Sequence, residues 1–407
     1  GEIPPDWERM APYLEAAMGR VPITLEVGAK NFFCGPESFT PDLSPLIGEA
    51  PEIRNYFVAA GMNSIGILSG GGIGRLVAHW IATGKPDVDV TGMNVDRVHK
   101  YQSNPKYRAD RVTESLGRVY KTHYPTFTPQ TARGAKRSPI HDRLEGQRAC
   151  FKEVSGWESP DWFAPEGESP EVGDLSWNRH AWFPYWESEH NACRNNVALL
   201  DMSFMSKFLV QGKGAGAALN YLSTGNVDGD SGQIRYVQWL NDDGKMEADL
   251  TVAKLEEEKF MVVATDTAHR HVETWVSRYL DDTDGCHATI TDVTGALAQI
   301  NIQGPEARKL LQTLTSFDMG DESFPFLGVR EIDIGYARVT VARITYLGEL
   351  GYELYIPAEQ AVHVYDLLVA AGQNFGMRHI GLRALSSLRL EKGYRDYGHD
   401  MDNTDTL

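Results

Sequence analysis

The sequence is short of cysteine and of positive charge, and it has no long apolar run. Its four cysteines among 407 residues form no C-x-x-C pair, which favours reduced intracellular thiols over a disulfide framework or a zinc site. A net charge of −17 argues against a nucleic-acid partner or an anionic membrane surface. No apolar run reaches the roughly 18 residues that a membrane-spanning helix requires. We therefore expect a globular protein without a membrane span.

Composition divides the chain into three regions. Residues 1–98 carry turn-bounded apolar runs, whereas residues 99–180 lack periodic pattern and are rich in proline, glycine and tryptophan, as expected of a connector. Residues 181–407 contain strand patterns such as "KFLVQG" and "KFMVVAT", and a helix pattern in "AEQAVHVYDLLVAAGQNFG". Strands and helices in mixed order predict an α+β fold for this part.

A glycine-rich stretch, "GMNSIGILSGGGIGRLVAHW", follows a predicted strand in "YFVAA" (56–60). Gly84 stands where a helix C-cap belongs, and a helical face is predicted from Ile73, Leu76, Val77, Trp80 and Ile81. The glycines match neither G-x-G-x-x-G nor a P-loop. Two uses stay open: tight packing of helix on strand, or a helix N-terminus accessible to a delocalised anion.

Two parts of the chain resemble different cofactor-binding domains. Residues 34–90, beginning "CGPESFTPD", resemble the C-terminal end of an amine-oxidising flavoprotein domain of the D-amino-acid oxidase type. Later stretches resemble the folate-binding domain of the glycine-cleavage T-protein, an aminomethyltransferase. They are "LLDMSFMSKFLVQG", "EADLTV", "INIQGPEAR", "ITYLGELGYELYI" and "LSSLRLEKGYRDYG". This order of domains, joined by a "GWESPDWF" connector, is similar to that of the dimethylglycine and sarcosine dehydrogenase family.

The resemblance implies a flavoprotein oxidoreductase with two cofactors, FAD and tetrahydrofolate. Its implied reaction is oxidative N-demethylation of sarcosine or dimethylglycine, with the one-carbon unit passed to tetrahydrofolate and electrons passed to an electron-transfer flavoprotein. It implies a role in choline and glycine catabolism, in the mitochondrial matrix or, in a bacterium, the cytoplasm. Because the family's G-x-G-x-x-G and flavin-linked histidine would precede residue 1, and a further subdomain would follow residue 407, we expect an internal fragment.

By resemblance, the glycine-rich stretch lies against the flavin ring, where a helix dipole stabilises negative charge on the reduced flavin. The implied flavin-binding residues are Gly61, Met62, Asn63, Gly66 and Ile67, and those nearby are Pro36, Glu37 and Asp42. For the last three, turn formation is the simpler interpretation.

The second half carries the implied folate site. Asp249 in "GKMEADLTV" matches the T-protein aspartate that faces the folate N10, where a carboxylate can hydrogen-bond the amine, and it is the catalytic candidate. Glu349 in "YLGELGYELYI" matches the residue that binds the pterin N3–H and 2-amino group in bidentate fashion. Tyr352 is a further folate-binding candidate, although core packing suits it better, and Tyr346 is a weaker candidate for stacking.

The sequence departs from T-proteins at one folate-contacting position. Where T-proteins carry the arginine of G-A-R-D-[ST]-L-R-L, "RALSSLRL" places Leu385. Arg389 and Arg395 remain as candidate partners of the folate tail.

Other interpretations stay open. His269 and His271 form an H-x-H pair, but without a third ligand we expect a solvated helix face, and no metal site is predicted.

The regulatory subunit of pyruvate dehydrogenase phosphatase shares the two-domain layout, so a non-catalytic regulator is the alternative function. A folate aminomethyl carrier with a vestigial flavin domain is a third. Retention of Asp249 and of "GELGYEL" favours the enzyme.

Overall fold

A computed structural model of the protein describes residues 3–124, 126–173 and 175–407. Residues 3–98, called the first segment below, contain two α-helices and a two-stranded antiparallel hairpin, α1 (Trp7–Arg20), β1 (Leu46–Glu49), β2 (Phe57–Ala60) and α2 (Gly66–Thr83). Helix α1 begins after Asp6, whose carboxylate accepts a hydrogen bond from Arg9 N at 2.9 Å, and it buries none of its residues.

The predicted strand, glycine loop and helix are confirmed. Helix α2 ends at Gly84, which adopts φ of 81°, as expected of a left-handed C-cap. Leu76 and Trp80 pack into a small core with Ile47. Ile81, however, is 57% exposed, so the apolar stripe is narrower than predicted.

Residues 99–180 contain more regular structure than a connector requires. They form α3 (Pro105–Leu116), α4 (His141–Gly146), β3 (Ala149–Val154) and β4 (Trp157–Phe163), of which β3 and β4 pair as an antiparallel hairpin. Trp162 is buried against Trp182, so this region packs against the part of the chain that follows it.

The remaining residues form the predicted mixture of strands and helices. In chain order these are α5 (Phe183–Asn195), β5 (Val197–Asp201), β6 (Ser206–Gln211), α6 (Ala215–Leu222), β7 (Gln233–Leu240), β8 (Met246–Glu256), β9 (Lys259–Ala264), α7 (His269–Asp282), β10 (Thr289–Asp292), β11 (Leu297–Gln303), α8 (Ala307–Gln312), β12 (Val329–Ile334), β13 (Ala337–Ala342), β14 (Gly351–Pro357), α9 (Ala361–Gly372), β15 (Met377–His379) and α10 (Leu382–Glu391).

Two sheets organise this part of the chain. A five-stranded antiparallel sheet has the order β10-β6-β9-β8-β7, and α6 and α7 pack against it through one apolar core. A six-stranded sheet has the order β12-β13-β14-β11-β5-β15, with only β15 parallel to its neighbour, and α8 and α9 cover it. All four cysteines are free thiols, as expected. Among the described residues, no helix combines the length and the apolar character needed to cross a lipid bilayer.

Helix α7 binds the first segment through side chains of opposite charge, which we call the α7 interface. Its pairs are Arg54–Asp282, Arg270–Glu52, Arg278–Glu49 and His271–Asp96. The expectation of a solvated face for the histidine pair is therefore wrong. His271 lies between Asp96, 2.7 Å from Nδ1, and Glu247 of β8, 2.9 Å from Nε2. Its neighbour His269 contacts Ser206 Oγ and Asp292.

The charge of His271 is fixed by its two carboxylate neighbours. Burial alone would lower its pKa, but Asp96 and Glu247 together raise the pKa from 6.5 to about 10. Because the folded pKa exceeds the unfolded one, the stabilisation is complete below about pH 6.5 and is lost as the pH rises to about 10.

We predict that His271→Gln lowers the free energy of unfolding at pH 6 and that the deficit relative to wild type shrinks toward pH 10. Urea unfolding at a series of pH values measures both quantities. His287→Gln, in an exposed loop, is the matched control and should change stability little at any pH. A deficit that stays constant between pH 6 and pH 10 would contradict the assigned charge.

Candidate functional site

Asp249 lies on β8, opposite Gln238 of β7 in the antiparallel register. The Gln238 side-chain amide donates a hydrogen bond of 2.8 Å to Asp249 Oδ1. Burial raises the pKa of the Asp249 carboxyl, whereas hydrogen bonding by the Tyr236 hydroxyl and by Gln238 lowers it. The net result is a raised pKa, so this half-buried carboxylate is held by neutral donors and accepts a proton more readily than an exposed aspartate.

The loop between β13 and β14 brings Tyr346 toward the same place. Its hydroxyl donates a hydrogen bond of 2.9 Å to Arg395 O, and its ring stacks on Tyr394 at 6.3 Å between centroids. Burial raises the Tyr346 pKa, and Asp396 and Asp249 raise it further. Aromatic rings and a carboxylate therefore meet here, a combination that suits a flat ligand bearing an amine.

The same loop holds Glu349 in a different environment. Its Oε1 accepts a hydrogen bond from Arg194 of α5 and lies 3.7 Å from Lys392 Nζ. Gly348 has φ of 81°, and a Cβ there would overlap the Lys392 side chain, so glycine is required at this turn. The half-buried carboxylate thus faces two cations, unlike Asp249.

Three further folate candidates occupy other surroundings. Tyr352 is fully buried in the core, where its hydroxyl accepts a hydrogen bond from Arg308 Nε at 3.3 Å, which agrees with core packing as the preferred interpretation of this residue. Arg389 is 9% exposed and pairs with Asp400, which leaves it unsuited to the folate tail. Arg395 has an exposed side chain.

Leu385 lies in an apolar cluster with Leu347 of the Glu349 loop. An arginine at this position would therefore have to leave an apolar contact, which explains physically why leucine is accommodated here.

The predicted flavin-binding loop depends on two residues for its own shape. Gly61 adopts φ of 68°, and a Cβ there would lie 2.6 Å from Thr40 Cγ2. The Asn63 side chain is 3% exposed; its Oδ1 accepts a hydrogen bond from Thr40 N at 2.8 Å, and its Nδ2 donates to Gly61 O at 2.7 Å. These contacts give the Asn63 side chain a structural role in the loop, and its flavin contact stays a prediction.

The neighbouring residues agree with the turn interpretation. Glu37 accepts hydrogen bonds from Ser64 Oγ at 2.8 and 3.0 Å, and Asp42 pairs with Arg97 at 2.7 Å. Pro36 is exposed beside them.

The N-terminus of α2 is open to a ligand. Ile65 at the N-cap position makes no side-chain hydrogen bond to the first turn, where a Cβ on Gly66 would lie 3.1 Å from Met62 Cβ and where Ile67 is fully exposed. Among the described residues, and apart from the helix's own backbone, no heavy atom lies within 4 Å of the position that a Cβ would take at Gly70, Gly71, Gly72 or Gly74. Uncapped amides next to bare backbone fit a flat group that carries negative charge, such as the flavin ring.

A cavity of about 540 Å³ is lined by residues of the first segment, of α3, of α7 and of the five-stranded sheet. Its lining includes Trp80 of α2, Arg111 of α3, Glu247 of β8 and His271 of α7, together with Tyr397. Asp249 lies two residues beyond Glu247 on β8. The cavity therefore joins the part of the chain that contains α2 to the strand that carries Asp249.

Sequence reasoning missed four residues that surround the candidates Asp249 and Glu349. They are Tyr236, Gln238 and Asp396 near Asp249, and Arg194 at Glu349. The alternation in "QIRYVQWL" places Tyr236 and Gln238 on one face of a strand, which is a usable signal once the pairing with β8 is known. Arg194 and Asp396 reach their partners only through tertiary contacts, so the sequence carries no local signal for them.

Comparison with known protein families identifies the domains to which these residues belong. Residues 140–407 match the GCVT N-terminal domain, residues 83–138 match the FAD dependent oxidoreductase central domain, and residues 1–80 match the FAD dependent oxidoreductase family. The chain belongs to the GCVT N-terminal domain family. The predicted combination of a flavoprotein domain with a T-protein-like domain is confirmed, and the matches support FAD and tetrahydrofolate as cofactors.

Similar proteins combine the same domains. The chain is 38% identical, over 99% of its length, to a 4-methylaminobutanoate oxidase (formaldehyde-forming) of Paenarthrobacter nicotinovorans, and covers 48% of that protein. It is 34% identical over 98% of its length to the mitochondrial sarcosine dehydrogenase of Homo sapiens, of which it covers 48%. It is 35% identical over 98% of its length to the mitochondrial pyruvate dehydrogenase phosphatase regulatory subunit of Mus musculus, of which it covers 46%. The chain thus spans about half of each relative.

A solved structure shows the same fold. The glycine cleavage system aminomethyltransferase T of Bartonella henselae superposes with a TM-score of 0.55, covering 67% of each chain at 24% identity. This confirms the predicted mixed fold.

We predict that Gln238→Met raises the pKa of Asp249, because it removes a donor that stabilises the carboxylate. Carboxyl ¹³C NMR of protein labelled at aspartate measures the titration. Gln233→Met, at the other end of β7, is the matched control and should leave this pKa unchanged. An Asp249 pKa that stays the same or falls in Gln238→Met would remove Gln238 from the site.

Proposed function

We propose that the chain is part of an FAD-dependent enzyme that oxidises N-methyl amines and transfers the one-carbon unit to tetrahydrofolate. The observation that carries this proposal is the cavity of about 540 Å³, whose walls come both from the flavoprotein-like segment and from the sheet that holds Asp249. Sarcosine and dimethylglycine are the substrates implied by resemblance. 4-Methylaminobutanoate joins them because a relative oxidises it, and all three share an N-methyl group beside a short carboxylate chain.

Each half of the proposed site has a role for residues of this chain. The N-terminus of α2, with Met62, Gly66 and Ile67, would hold the flavin, which supplies hydride acceptance when bound. Asp249 would accept a hydrogen bond from the folate amine and receive its proton, as its raised pKa allows. Glu349 would accept the N–H groups of the pterin ring.

The non-catalytic regulator remains the second candidate, supported by the relative of that name. The enzyme is favoured by Asp249, because a half-buried carboxylate held by two neutral donors costs stability without an obvious structural return. The names of the mitochondrial relatives support a matrix location in a eukaryote, and an electron-transfer flavoprotein is the proposed electron acceptor.

We predict that the flavin of the whole enzyme, of which this chain is part, is bleached under anaerobic conditions by at least one of sarcosine, dimethylglycine and 4-methylaminobutanoate. Absorbance spectroscopy measures the reduction. In the presence of tetrahydrofolate, wild type should form methylenetetrahydrofolate, whereas Asp249→Asn should reduce the flavin equally and release more free formaldehyde. A flavin that none of the three amines reduces would favour the regulator.

We predict that Glu349→Ala weakens tetrahydrofolate binding by about 1.5–3 kcal/mol, the scale of a hydrogen bond to a charged group. Calorimetric titration measures the change, and Glu349→Gln tests whether charge rather than shape is required. Glu359→Ala, an exposed glutamate beyond β14, is the matched control. Unchanged affinity in Glu349→Ala would remove this residue from the site.

A further inference from the structure

Arg194 connects the Glu349 loop to the end of α10. One guanidinium nitrogen, Nη1, donates to Glu349 Oε1, and another, Nη2, donates to Glu391 Oε2. The Arg194 side chain is 24% exposed and that of Glu349 is 20% exposed, so water screens their interaction less than it does a surface pair. The planar guanidinium therefore fixes the position of one carboxylate relative to a helix.

The loop backbone is held independently of this pair. Thr345 Oγ1 accepts hydrogen bonds from Leu347 N and Gly348 N, both at 3.1 Å, and donates one of 2.8 Å to Gln303 Oε1. Loss of Arg194 should consequently leave the loop in place and free the Glu349 side chain alone. A glutamate has three rotatable side-chain bonds, so an unheld carboxylate loses more entropy when it binds a ligand.

Glu349 keeps capacity for a ligand while Arg194 holds it. In the described parts of the chain, Oε2 has no hydrogen-bond partner, whereas Oε1 faces both Arg194 and Lys392. A carboxylate offers about four lone-pair positions, so two N–H groups of a ligand can still bind beside the arginine.

We propose that Arg194 is a positioning residue for tetrahydrofolate, acting by holding the Glu349 carboxylate in the orientation that receives the pterin ring. The inference rests on the proposed function, in which Glu349 binds that ring. Lys392 cannot replace Arg194, because its single ammonium lies 3.7 Å from Oε1 and carries no planar pair of donors.

The test is calorimetric titration of tetrahydrofolate into wild type, Arg194→Ala, Arg194→Lys, Glu349→Ala and the double variant Arg194→Ala/Glu349→Ala. We expect Arg194→Ala to weaken binding roughly tenfold and Arg194→Lys to restore part of the loss. In the Glu349→Ala background, removal of Arg194 should cause no further loss. Arg338→Ala, which breaks an exposed arginine–aspartate pair with Asp333, is the matched control and should bind like wild type.

The outcomes separate this inference from the proposed function. If wild type does not bind tetrahydrofolate, or if Glu349→Ala binds it equally well, the folate part of the proposed function fails and the inference falls with it. If Glu349→Ala binds weakly but Arg194→Ala binds as well as or better than wild type, only the inference is overturned, since tighter binding would mean that Arg194 competes with the ligand. Equal losses on removing Arg194 in both backgrounds would also overturn it, because they indicate a general structural effect. Arg194→Gln serves the same comparison if Arg194→Ala does not melt cooperatively.

Discussion

Strand β8 links the candidate site to the rest of the molecule, because two acidic residues on it face different partners. Glu247 reaches His271, which also binds Asp96 of the first segment, and Asp249 lies two residues further on in the candidate site. Two partly buried carboxylates can approach one imidazole only while it is positively charged. The charge on His271 therefore helps to hold the first segment against the sheet, together with the other ion pairs of the α7 interface, and both His271 and Glu247 line the cavity.

The elements that the sequence predicts well are those specified by short-range pattern. Helix α2 follows from apolar residues at helical spacing and from Gly84, whose left-handed backbone a glycine adopts at little cost. The predicted solvated face of the histidine pair in α7 is wrong because it depends on a long-range contact. Asp96, which binds His271, lies 175 residues away in sequence, and a charged helix face looks the same whether it meets water or a distant segment. Ion pairs across the α7 interface thus become visible only when the fold is known.

The residues of the candidate site also divide into those that a sequence motif identifies and those that only the fold brings together. Asp249 and Glu349 stand in motifs that resemblance identifies, whereas the pairing of β7 with β8 is needed before Gln238 becomes a neighbour of Asp249. The predicted roles of Asn63 and Tyr352 were drawn from position in a motif alone. Their side chains turn inward, since an amide can hold a loop and an aromatic ring can fill a core with no change in sequence pattern.

The two acidic residues of the site differ in what balances their charge, and this difference fits two different tasks. Glu349 faces Arg194 and Lys392, and its carboxylate oxygens are acceptors for N–H groups. Among the described residues, the hydrogen-bonding partners of Asp249 are the neutral side chains of Tyr236 and Gln238, and burial together with Asp396 outweighs them, so the pKa of Asp249 is raised. A carboxyl of that kind can exchange a proton with an amine during a reaction. Among the described residues, cations lie beside Glu349 and are absent from the immediate partners of Asp249. This difference is consistent with Glu349 as a group for binding and Asp249 as a group for chemistry.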